Sequence, residues 1–155
     1  MASKTVKNGI VDAVKALILA NITTLGGTSA SRITEGDEEP TYLEREGYGF
    51  PCFFVVPLVE GGDRIHTHMG GTLQDHDFPI TVIGYYKTDK ISDGIRTTSD
   101  YGYDFVDLIA GKHLTGTGFG GYLLDPVLDI GYQRVVDNIV HWWIVRFDVK
   151  TKGGP

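Results

Sequence analysis

The sequence predicts an α+β fold: a mostly antiparallel sheet with two helices packed on it, in the order α-β-β-β-α-β-β. Three observations predict it. Glycine is 21 of 155 residues, beside 8 Tyr, 7 Phe and 2 Trp, a composition suited to turns and strands more than to a helix bundle. Two separated segments, 4–21 and 97–110, carry apolar residues at helical spacing. From Phe50 onward, outside the second of them, the apolar period is two.

Residues 4–21 place Val6, Ile10, Ala13, Val14, Leu17 and Ile18 on one stripe, with Lys4, Lys7, Asp12 and Lys15 mainly outside it. Gly26 and Gly27 close the region. Residues 28–49 are rich in Gly, Thr, Ser and Glu and include the acidic run Glu35, Asp37, Glu38 and Glu39. They read as a long exposed loop suited to contacts, with room for one short strand at 31–34. Residues 52–59 (CFFVVPLV) suit a strand buried on both faces. Pro57 cannot donate to a ladder, so it belongs at an edge or a bulge.

Residues 64–69 alternate, with Ile65, Thr67 and Met69 on one face and Arg64, His66 and His68 on the other. Gly70 and Gly71 are a two-residue turn signal, and 73–86 reads as a long strand with Phe78, Ile80 and Val82 inward. Asp75, Asp77 and Thr81 fall on its outer face. In the second helix, 97–110, Tyr101, Phe105, Leu108 and Ile109 form the buried stripe, and Gly102 weakens it. Asp100, Asp104 and Asp107 make an acidic stripe alongside. Residues 116–121 (GTGFGG) read as a turn, and 127–136 as a strand with a bulge near Gly131. The closing strand, 139–151, sets Ile139, His141, Trp143, Val145, Phe147 and Val149 on one face and Arg146, Asp148 and Lys150 on the other. Residues 152–155 read as a frayed tail. The chain is expected to form a single domain, 1–155.

Composition removes several classes. With 41% apolar and 22% charged residues the chain is not wholly disordered. No apolar run approaches the ~18–20 residues that a membrane helix needs. The N-terminus lacks an uninterrupted apolar stretch, so no secretory signal is expected there. A net charge of −6 with scattered Lys and Arg leaves no phosphate-binding footprint. The lone Cys52 excludes an internal disulfide, a CxxC pair and a cysteine zinc site.

The most suggestive chemistry is the cluster Arg64, His66, His68, Asp75, His76 and Asp77. A hairpin turning at Gly70-Gly71 sets His66 opposite Asp75, Arg64 opposite Asp77 and His68 opposite Leu73. Neutral imidazoles and a carboxylate could bind zinc there, with His76 on the opposite face. The plainer reading is a polar outer face with cross-strand charge pairs. Cys52 sits in an apolar strand, as an inert small hydrophobe does. GTGFGG lacks the Lys-Ser/Thr of a phosphate loop, and no Ser sits in a GxSxG elbow. Trp142 and Trp143 point to opposite faces of the last strand, one in the core and the other covered by the N-terminal helix or a neighbouring subunit.

Four segments carry a resemblance. They are an amphipathic helix (VKNGIVDAVKALI) before a polar loop, the strand pair FPCFFVVPLVEGGDRIHTHMGGTLQDHDFPITVIGYYKT, the helix YDFVDLIAG and the alternating end WWIVRFDVKT. Together, over nearly the whole chain, they resemble the tail terminator, tail-completion or head-tail joining proteins of long-tailed bacteriophages. Neck proteins share similar small α+β folds, so the resemblance spans them too. It implies a virion protein of the tail or neck, assembled in the host cytoplasm as a ring of six copies. The ring would cap the tail tube and join it to neck and head-completion proteins, with DNA passing through the lumen without specific binding. It implies no enzyme, no membrane contact, no cofactor, and no catalytic, cofactor-binding or metal residues. The alternative from the residues is a small metal-dependent or ligand-binding α+β enzyme using the His66/His68/Asp75 face.

Overall fold

A computed structural model describes residues 3–57, 64–67, 74–110, 113–116, 119–135 and 137–153. Three helices and seven strands follow one another as α1 (Ser3–Ala20), β1 (Ile33–Glu35), α2 (Pro40–Arg45), β2 (Cys52–Val56), β3 (Arg64–Thr67), β4 (Gln74–Thr88), α3 (Ile91–Ile109), β5 (His113–Gly116), β6 (Phe119–Val135) and β7 (Asn138–Gly153). The strands form one sheet in the order β1-β2-β4-β7-β6-β5, with β3 beside β4. Every pairing is antiparallel except β1 with β2. The architecture is the predicted α+β sheet, enlarged by α2, β1 and β5.

Three long strands make the centre. β4 pairs along its whole length with β7, and β6 pairs with the other side of β7. Their alternation puts Phe78, Ile80, Val82, Trp143, Val145, Phe147 and Val149 on one face, all buried. Phe105 and Ile109 of α3 pack there, as do Ile10, Val14 and Ile18 of α1, and Leu108 and Leu17 are partly buried against the same cluster. This is the single core expected from the apolar stripes. Trp143 is its anchor, stacked on Phe105 with ring centroids 5.1 Å apart. Its indole N–H donates to Tyr86 Oη at 2.8 Å, and the Tyr86 hydroxyl donates to the Leu25 carbonyl at 2.6 Å. The relay ties the turn after α1 to the sheet, and all three residues are buried.

Two glycines let α3 sit close. A Cβ on Gly102 would lie 2.8 Å from Leu128 and 2.9 Å from Trp143, and a Cβ on Gly94 would lie 2.2 Å from the His141 ring. Sequence spacing starts this helix at 97, but it begins at Ile91. Its first turns lack a wide apolar stripe because backbone at Gly94, instead of a side chain, meets the sheet.

The opposite face also carries a core. Cys52, Phe54, Ile83, Tyr85, Val135 and Val140 cluster with Leu43 of α2. Residues 28–49 are therefore not simply a loop. β1 lies at 33–35, overlapping the expected strand, and α2 forms because Pro40 stands in its first turn and Leu43 is buried beneath it. The Tyr85 hydroxyl, 3.1 Å from both Asp37 Oδ1 and the Glu38 carbonyl, holds the acidic run against this face. Thr81, expected on an outer face, is buried between the flanking strands β2 and β7.

Other expectations need correction. β2 ends at Val56, and Pro57 follows it; β2 itself lies between β1 and β4, where a proline could not donate. The irregularity of β6 lies between Leu124 and Val127, not at Gly131. Pro126 has no N–H to give, and Asp125 adopts φ 55°, a left-handed conformation that Asp tolerates. Gly131 instead pairs in register with Trp142, whose indole fills the space a Cβ would take, 2.7 Å away. The GTGFGG segment belongs to a β5–β6 hairpin in which Gly116 pairs with Phe119. β7 continues to Gly153, so 152 and 153 are strand; 154 and 155 lie outside the described residues.

Candidate functional site

The predicted register of the polar strand pair holds. β3 and β4 pair Arg64 with Asp77, Ile65 with His76, His66 with Asp75 and Thr67 with Gln74. His68, Leu73 and the Gly70-Gly71 turn lie outside the described residues, as do the side chains of this strand pair. Among the described residues, no group of three or more His, Cys, Asp or Glu could hold a metal ion.

The remaining candidates from the sequence resolve into structural roles. Burial pushes the Cys52 thiol up to about 12, against a smaller opposing effect of Arg32, so it stays protonated and unreactive. Asp100 and Asp107 are exposed on α3, a solvated helix face. Trp143 is the core indole. Trp142 lies on the opposite face, away from α1, half-buried with its ring edge-on to Tyr85 at 6.4 Å. Among the described residues, no helix is long and apolar enough to cross a membrane.

What sequence spacing missed is a surface. Among the described residues, four of the six exposed large apolar side chains lie on the α3 side of the sheet, Ile95 and Tyr103 on α3 and Ile130 and Tyr132 on β6; a fifth, Val127, pairs with Arg146 on the opposite face. They are between 42% and 60% exposed. Two causes bring them there. First, β5 covers only residues 119–122 of β6, so from Leu123 to Val135 the outer edge of β6 has no strand partner among the described residues. Second, α3 comes closest to the sheet at Gly94 and Gly102, over His141, Trp143 and Leu128. Ile130 and Tyr132 continue the inward alternation of Leu128 but emerge beyond the helix. Ile95 and Tyr103 are eight residues apart, on one flank of α3.

Ile95, Ile130, Gly131, Tyr132, His141 and Trp142 line an open pocket of about 430 Å³. At its base His141 is buried, its ring 5.9 Å from that of Tyr132. Its Nε2 finds no hydrogen-bond partner among the described residues. Burial holds its pKa below the ordinary value, opposed by a hydrogen bond to the Lys90 backbone, so the imidazole is neutral at pH 7. On the other face of the sheet Arg146 pairs with Asp129, both half-exposed. An exposed apolar strip beside a sheet edge that has no strand partner among the described residues is what a protein–protein contact requires.

No family model and no curated protein matches the chain. Among solved structures it is similar to a chain of the virion of a native gene transfer agent particle, at 18% identity and a TM-score of 0.48, covering 92% of this chain and 96% of that one.

Proposed function

We propose that the protein is a structural component of a phage-like virion: a tail terminator or tail-completion ring, of six copies, that caps the tail tube and joins it to the neck and head. The observation that carries this reading is the apolar strip on α3 and the unpaired edge of β6. Such an edge is a liability for a protein that stays alone, and a joining surface for one that assembles. The four-segment resemblance noted in the sequence supplies the kind of assembly. The acidic balance, a net charge of −6, suits a lumen that lets DNA pass without holding it. The protein is read as non-enzymatic, with 1–155 acting as one unit.

The test is direct imaging and a deletion. Purified full-length protein should form rings under the electron microscope, and particles made without the gene should carry tails that fail to stop at their proper length or to join heads. Particles with normal, joined tails in its absence would overturn the assignment. DNA should show no retardation with the purified protein at physiological salt.

A further inference from the structure

The strip on α3 and β6 needs an occupant, and the chain itself offers one. The sixth exposed large apolar side chain among the described residues is Leu19, 60% exposed in the last turn of α1. Ala16 and Ala20 beside it are exposed as well, so the outer face of α1 ends in a small apolar knob. Scattered single hydrophobes are ordinary surface. A knob on one helix and a lined pocket at the far edge of the same sheet are complementary.

Charge selects the same pairing. α1 carries Lys4, Lys7 and Lys15 against one acid, Asp12. α3 carries Asp93, Asp100, Asp104 and Asp107 against one base, Arg96. Lys15 stands one turn before Leu19, and Asp100 and Asp107 stand three and four residues either side of Tyr103. Two α3 flanks brought together would oppose like charges, whereas an α1 face against an α3 flank opposes unlike ones. We infer that a second copy of this chain docks the outer face of its α1 on the α3–β6 flank, with Leu19 entering the pocket lined by Ile95, Ile130 and Tyr132. The contact is head-to-tail, so repeating it closes a ring if the rotation closes. This inference rests on the ring reading above and names the surfaces that make the ring.

Two variants at exposed positions test it, Leu19→Asp and Ile130→Asp, with Leu19→Ser and Tyr132→Ser as milder versions should either charge impair folding. Mass in solution is followed by sedimentation velocity, and circular dichroism checks the fold. The wild-type chain should assemble with rising concentration. Each variant alone should stay monomeric, with association weakened about tenfold or more. An equimolar mixture of the two should form dimers and nothing larger, because only one intact knob-and-pocket pair remains. If both variants assemble like the wild type, these surfaces are wrong while the ring reading stands. If Ile130→Asp dissociates the assembly and Leu19→Asp does not, the head-to-tail pairing is overturned. A wild-type chain that stays monomeric at every concentration overturns the ring reading itself.

Discussion

Replacing Tyr86 by Phe removes one oxygen and leaves two buried groups without partners. The Trp143 N–H loses its acceptor at 2.8 Å, and the Leu25 carbonyl loses its donor at 2.6 Å. Both residues are fully buried, so water cannot replace the lost bonds. Each orphaned group costs about 1–3 kcal/mol, giving roughly 2–6 kcal/mol for the substitution. The ring itself is kept, and with it the stacking on Tyr101 at 5.0 Å, so packing loss adds little. For a domain of this size, Tm should fall by roughly 5–15 °C. Tyr85→Phe is the control. It also removes a hydroxyl from a neighbouring strand position, but its partners, Asp37 and the Glu38 carbonyl, belong to exposed residues that water can serve. That change should cost less than about 1 kcal/mol. Thermal and urea melts of the two variants decide the matter. A Tyr86→Phe protein as stable as wild type, or a Tyr85→Phe protein less stable than it, would refute the relay as a structural tie.

Four further outcomes follow from the same geometry. Phe105→Ala, at a fully buried ring between Trp143 and Phe147, should destabilise by ~3–5 kcal/mol in a urea titration, whereas Asp129→Ala, at a half-exposed ion pair, should cost under about 1 kcal/mol. Gly94→Ala normally improves a helix, but here the new methyl would meet the His141 ring at 2.2 Å, so the variant should melt lower by the equivalent of about 1–3 kcal/mol. His141 is held neutral by burial, below its ordinary 6.5, so the unfolded chain binds the extra proton first; stability should decline as pH falls below about 6.5, and His141→Gln should flatten that slope in melts run across the range. Cys52, with its pKa pushed up to about 12, should resist thiol reagents at pH 8 until denaturant is added; fast labelling of the native protein would contradict its burial.

The core was legible because period and burial agree where an element is covered on one side. Phe78, Ile80 and Val82 recur at a period of two, and Phe105, Leu108 and Ile109 share a helix stripe, so each names its inner face without reference to the rest of the chain. The β3–β4 register was legible from two glycines and the polar pattern alone. α2 was not, since six residues beginning at a proline show almost no period, and the helix is fixed by Leu43 entering a cluster assembled from β2, β4, β6 and β7. β5 was hidden in the same way, as four residues defined by pairing with 119–122. The bulge was misplaced because glycine invites one, whereas Gly131 is there to admit an indole and Asp125-Pro126 breaks the ladder.

The exposed strip on α3 and β6 was illegible for a different reason. Ile130 and Tyr132 follow Leu128 in the inward alternation of β6, and nothing in a period of two distinguishes a residue under a helix from one beyond its edge. That distinction depends on how far α3 reaches across the sheet, which Gly94 and Gly102 set by lowering the helix onto β7. A helix seated closer over the centre covers less of the margin, so the same two glycines that permit tight packing around Trp143 and His141 leave the β6 edge bare. Substituting Gly102 should therefore act on both properties: a Cβ there would push against Leu128 and Trp143, lifting α3 and changing the pocket beside Ile95.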